Sequence, residues 1–224
     1  MDAVAPYSKL MTVVDEAIVK LADSQKLSFS CKKGCSACCK QLVMVSIPEA
    51  LFIMAYLTRD GMRWGIYQKS KNTIAGHVAM ISKEPDLYGE DGPDAWFAKQ
   101  VNCGLLNVDG HCTVYQCRPI ACRVRLALDD AKLCENNAES GRFINPEHYF
   151  EALTRVNKLV GKDLRIPAVL LPLPVAITFA NVGFEFGLAT LREKTRDIVT
   201  VKERAPSGDS LTKTLDDLQS SIAE

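Results

Sequence analysis

The sequence predicts a mainly α protein, a single helical domain built around an irregular, cysteine-rich core. Three observations carry that prediction. Apolar residues recur at helical spacing in several long stretches, strand-like alternation is scarce, and nine cysteines fall into two groups without a period. A chain of 224 residues that is 47% hydrophobic is long enough to bury one core without covalent staples.

Leu10, Val13, Val14, Ile18 and Leu21 lie near helical spacing, which predicts an amphipathic helix over 6–23. Leu42 to Val45 read as a short extended piece. Ser46 is then an N-cap, with Pro48 and Glu49 in the first turn of a helix running to about residue 59 and ended by Gly61. Residues 62–84 are more weakly helical, and 86–94 form a turn-rich loop before a short helix around Trp96. In "NPEHYFEALTRVNKLV", Asn145 caps a helix with Pro146 at its first position and Tyr149, Leu153, Val156 and Leu159 on one face. A last helix runs from about Pro174 to Val199. The domain therefore spans 1–203, and the polar, small-residue-rich stretch 204–224 reads as a weakly ordered C-terminal tail.

Composition excludes several partners. With 27 basic and 27 acidic residues the chain has no electrostatic footprint for nucleic acid. The amino terminus carries Asp2, Asp15 and Glu16 and lacks the basic start and apolar run of a secretory signal, which implies a cytoplasmic protein. Ile166 to Phe184 is an uncharged window of 19 residues, at the lower limit for a membrane span. Pro167, Pro172 and Pro174 argue for a buried extended lead-in followed by a core helix, and against a membrane. Gly183 and Gly187 read as close packing, because Glu185 lies between them.

In a reducing compartment, clustered thiols signify metal or redox chemistry and not a disulfide framework, for which nine is also an odd number. On a helix, Cys31, Cys35 and Cys38 of "CKKGCSACCK" would fall within an arc of ~60° and could face one metal or cluster. Cys39 would point ~100° further round, so it serves another site or forces the backbone out of helix, which Gly34 makes easy. The second group is Cys103, Cys112, Cys117, Cys122 and Cys134. Pro119 there can start a helix carrying Cys122 in its first turn, where free amides would stabilise a thiolate. Lys32, Lys33, Lys40, Arg118, Arg123 and Arg125 lie near the cysteines and could offset the charge of a thiolate-bound metal. Zinc sites usually pair C-x2-C twice, whereas this chain has that spacing once, which leans toward an iron–sulfur cluster over zinc.

Two strings give the chain a resemblance. "CKKGCSACC" ends in a vicinal pair, and after a lone cysteine comes "CTVYQCRPIACR", of the form C-x-[IV]-Y-x-x-R-P-x-x-C-R. Together they resemble the cysteine-cluster family of zinc- or iron-chelating proteins, YkgJ-like with a CxxCxxCC domain, whose module also occurs in flagellin lysine methylases. The resemblance covers roughly 31–134 and implies a metal-binding core. It marks Cys31, Cys35, Cys38, Cys39, Cys103, Cys112, Cys122 and Cys134 as metal ligands, with Cys117 the free thiol. Tyr115, Arg118, Pro119 and Arg123 also match, Tyr115 by packing and the arginines by shaping and neutralising the site.

Two other functions are compatible with parts of the pattern. The C-x3-C-x2-C spacing of Cys31 to Cys38 is also that of radical enzymes, which admits an S-adenosylmethionine-dependent methyl- or radical-type transferase, although radical enzymes need alternating strands and helices. A thiol redox sensor could use Cys38 and Cys39 as a vicinal disulfide. Of the histidines, His111 beside Cys112 could enter a mixed site, while His77 and His148 read as surface or packing residues.

Overall fold

The computed structural model describes residues 4–84, 87, 92–128, 134 and 147–203, apart from the side chains of 147–148 and 197–203. The chain is mainly helical, as the sequence predicts. Helix α1 (Ala5–Gln25) has proline in its first turn and stops at Lys26, whose φ of 53° turns the chain left-handed. It buries Tyr7, Leu10, Met11 and Val14, while Val13 is 51% exposed. Adjacent helical residues point ~100° apart, so only one of the two valines faces inward.

Strand β1 (Met44–Ser46) pairs antiparallel with β2 (Leu170–Pro172), Val45 opposite Leu171. Each strand runs straight into a helix. Ser46 caps α2 (Ile47–Leu57), its hydroxyl accepting from the Glu49 N–H at 3.1 Å, and Leu173 opens α7 (Leu173–Glu203). Gly61 does not end α2. Thr58 does, its hydroxyl donating to the Met54 carbonyl at 2.8 Å, and Gly61 is the first residue of α3 (Gly61–Lys83). Asp60 caps α3 by accepting from the Arg63 N–H at 2.9 Å, so the Asp-Gly pair starts a helix here.

Helix α3 is continuous and buries Tyr67, Ile74, His77, Val78 and Ile81; α4 (Gly92–Ala98) buries Trp96 and Phe97. Most of the loop predicted at 86–94, the Asn145–Pro146 start and the tail from 204 lie outside the described residues, and residues 92–94 belong to α4. Helix α5 (Ile120–Arg123) is a single turn. Helix α6 (Glu147–Leu164) buries Leu153, Asn157 and Val160, and the predicted Leu159 is 51% exposed because Val160 takes the inward position.

Helix α7 breaks at Gly187 (φ 88°, ψ 164°), and the chain folds back there. A Cβ built on Gly183 would lie 2.9 Å from Leu191 Cδ2 and 3.4 Å from Leu51 Cδ2. In a straight helix residues eight apart are separated by ~12 Å. Leu173–Arg196 has the length and hydropathy of a membrane span, but 56% of its most apolar window is buried inside the protein. That apolarity serves the contact with α2: Val175, Ala176, Ile177, Phe179 and Ala180 are all buried.

One apolar cluster joins α2, α3 and the first half of α7, and a second joins α1, α5 and α6; Phe52 and Leu164 pack on both. The second cysteine segment straddles them. Val114 and Cys117 belong to the first cluster, and Ile120 and Val124 to the second.

Candidate metal centre

Backbone hydrogen bonds draw the two cysteine groups together. The Cys103 N–H donates to the Cys39 carbonyl at 2.7 Å, and the Ser30 N–H to the Ala127 carbonyl at 3.1 Å. Gly34 (φ 95°) lets its loop lie flat against the second group, where an added Cβ would stand 3.3 Å from His111 Cδ2 and Nε2. Within the second group a Leu106–Cys112 bridge and the Thr113 N–H to Leu105 carbonyl bond form a tight hairpin that brings Cys103 and Cys112 side by side. Of the two alternatives that the spacing leaves open, the backbone departs from an α-helix: Ala37–Lys40 is a 3-10 turn in which the Cys39 N–H reaches the Ser36 carbonyl.

Cys35, Cys38, Cys39, Cys103, Cys112 and Cys122 line one cavity of about 90 Å³. Ile74, Trp96, Leu105, Val114, Leu173 and Ile177 make its apolar wall, and Tyr115, Arg118 and His77 also face it. Cys31 and Cys134 do not line the cavity. Cys31 Sγ accepts from the Ala127 N–H at 3.1 Å, and Cys134 is buried within electrostatic reach of Cys31, Cys38 and Cys35. Cys117 is buried away from the cavity, against a groove bounded by Phe52 and Tyr56. Cys38 and Cys122 also form part of a larger groove of about 950 Å³ flanked by Arg125, Phe150 and Lys158, so these two thiols stand in the partition between the spaces.

Most of these thiols are held neutral. Burial pushes Cys103 up to about 11 and Cys122 well above the ordinary thiol range, with neighbouring thiols adding to both shifts. Burial also raises Cys31, Cys112 and Cys134. The thiolate stabilisation predicted for Cys122 is therefore absent, because α5 is one buried turn whose leading Ile120 N–H is taken by Glu49 Oε1 at 2.9 Å. Cys38 shifts the opposite way. A hydrogen bond from Cys39 lowers it, with Arg125 and Arg118 contributing, while the same bond and burial raise Cys39. A metal entering this site must displace protons from the buried thiols.

The cations divide differently from the expectation. Arg118 stacks over the Tyr115 ring at 4.3 Å and faces the thiols, and Arg125 is the second guanidinium acting on them. Arg123 turns the other way. It holds both oxygens of Asp15 on α1 at 2.8 and 2.7 Å and donates to the Gln116 carbonyl at 2.6 Å, so it shapes the second segment without neutralising the site. Lys32 and Lys33 are exposed, and Lys40 donates to Gln100.

Sequence reasoning missed His77 and Trp96. His77 is 93% buried by its 7% exposure, meets Trp96 edge-on at 5.5 Å, and is kept neutral by desolvation. The available signal was the Ile74, His77, Val78, Ile81 spacing, which places His77 on the inner face of α3.

Among the described residues no three His, Cys, Asp or Glu side chains converge as they would on a single ion. The thiols instead surround a space. Sulfur donors, an apolar wall and two guanidiniums fit a group that is thiolate-bound and carries net negative charge.

A family model described as "CxxCxxCC: Putative zinc- or iron-chelating domain" matches residues 30–143, which include all nine cysteines. No curated protein and no solved structure matches the chain. The matched span is half the chain and contains both segments that build the cavity, and the chain belongs to the CxxCxxCC family of zinc- or iron-chelating domains.

Proposed function

We propose that the chain holds an iron–sulfur cluster through thiolates facing the central cavity, with Cys35, Cys38, Cys39, Cys103, Cys112 and Cys122 around it and Cys31 and Cys134 at its rim. The observation that carries this reading is the spread of six thiols around about 90 Å³ without any three meeting at a point. A tetrahedral zinc ion with bonds of ~2.3 Å would require its sulfurs to lie within ~4 Å of one another. A cluster occupies volume and takes its thiolates from further apart.

Bound there, the cluster would supply electron transfer or an iron site for a substrate. The protein's own residues do the rest. Arg118 and Arg125 offset the thiolate charge, the apolar wall lowers the local dielectric, and the hairpin at Cys103–Cys112 fixes donor spacing. Thiolates kept available for such a group imply a reducing compartment such as the cytoplasm. The described residues contain one two-stranded ribbon, which gives no support to the barrel of a radical S-adenosylmethionine enzyme.

The test is iron, zinc and acid-labile sulfide analysis of protein purified without oxygen. Brown protein with sulfide matching iron supports the reading. Colourless protein carrying zinc overturns the cluster while leaving a chelating domain.

A further inference from the structure

His77 stands one turn after Ile74 on α3, and at Ile74 that helix touches the second cysteine group. A Cβ built on Gly104 would lie 2.8 Å from Ile74 Cγ1 and 3.4 Å from the Ile74 backbone nitrogen. Only a glycine after Cys103 permits this approach, so the inner face of α3 is drawn directly against the segment that carries Cys103.

The imidazole on that face lines the same cavity as the six thiols. Its Nδ1 is buried and has no hydrogen-bond partner, in a residue only 7% exposed. An unsatisfied buried polar atom is destabilising, and native structures leave few of them unpaired. The T-shaped packing against Trp96 at 5.5 Å holds the ring in place. A neutral imidazole lining a cavity of thiols is a donor of the type that replaces cysteine in some iron–sulfur centres and raises their reduction potential.

We propose that His77 is a nitrogen ligand of the metal centre, joining the cysteine thiolates from the α3 side of the cavity. This rests on the cluster reading above and adds a donor that neither cysteine string contains. It also makes the centre depend on a helix that has no cysteine of its own.

The experiment is pulsed EPR of the reduced, anaerobically purified full-length protein with and without 15N-histidine labelling. The expected result is a strongly coupled nitrogen whose pattern changes on labelling and is lost in His77→Ala. His77→Phe, which keeps an aromatic ring against Trp96, should show the same loss. A shift of the midpoint potential to lower values in His77→Cys would agree with it. A wild-type spectrum with no strongly coupled nitrogen overturns the proposal while the cluster reading stands, and it does so without any variant having to fold. If the metal analysis finds zinc, the cluster reading has failed on its own, and X-ray absorption at the zinc edge decides for His77. Imidazole scattering that disappears in His77→Ala supports ligation, and an all-sulfur shell overturns it.

Discussion

The α2–α3–α7 packing and the two cysteine segments are held together by different means. Among the helices the contacts are apolar and complete: Ile53, Met54, Ile81, Ile177 and Phe179 have essentially no exposure. In the cysteine segments, backbone bonds such as Cys103 to Cys39 and the Arg123–Asp15 pair supplement a smaller share of apolar packing, around a cavity where burial raises the thiols of Cys103, Cys112 and Cys122. Apolar burial stabilises the helices whatever the cavity contains. The cysteine segments gain their largest stabilisation only when the thiols lose protons to a metal.

Four substitutions sharpen or break that contrast. The largest effect falls on the cavity. Cys122→Ser should lose most of the bound metal and Cys117→Ser almost none, read as metal per protein by elemental mass spectrometry, with helical circular dichroism largely kept in both. Equal losses would mean that the buried Cys117 participates and that the separation of the two thiols is false. Next comes the helical core, where Ile53→Ala should cost ~2–5 kcal/mol in denaturant unfolding, since a fully buried isoleucine leaves a cavity. Its metal content per folded molecule should be unchanged, and a parallel fall would show the two regions to be one cooperative unit.

The smallest effect concerns the junction. Glu49 on α2 is fully buried, and desolvation raises its carboxyl to about 7 although the Ile120 and Ser46 hydrogen bonds oppose the shift. The folded protein thus binds this proton more tightly than the unfolded chain, whose glutamate titrates near ~4.3. The contribution of Glu49 is full below that value and declines as pH rises through about 7. Glu49→Gln keeps an acceptor oxygen for the Ile120 N–H and removes the charge. It should match wild type at pH ~5 and exceed it by ~1–3 kcal/mol at pH ~8, measured by urea unfolding across pH. A wild-type profile that stays flat over that range would refute the assignment.

Legibility in the sequence followed the same division. Ser46, Pro48 and Glu49 announce a helix start through local chemistry, and the structure uses them so. Gly61 reads as a stop in the sequence, whereas the Asp60 side chain makes the pair a start. Val13 and Leu159 were assigned inward although each has a neighbour one position on that packs better. The motif strings named the thiols of the cavity but could not separate Arg118 from Arg123. Only the direction of one helical turn sends the first toward sulfur and the second toward Asp15. His77 carried no motif at all. Its position depends on the close approach of α3 to Gly104, a tertiary contact that no local pattern encodes.

The far wall of the cavity has a consequence for biosynthesis. Every cysteine of the chain has been made once residue 134 is reached, but Leu173, Pro174 and Ile177, which cover the cavity, come from α7. At ribosomal rates of ~5–20 residues per second the thiols precede that cover by several seconds. A nascent chain thus passes through a stage in which the donors exist without a roof. Metal delivery is easiest in that window, before the α7 side chains close over the donors. Mature protein stripped of its metal should reload more slowly than the growing chain, because α7 must first lift away.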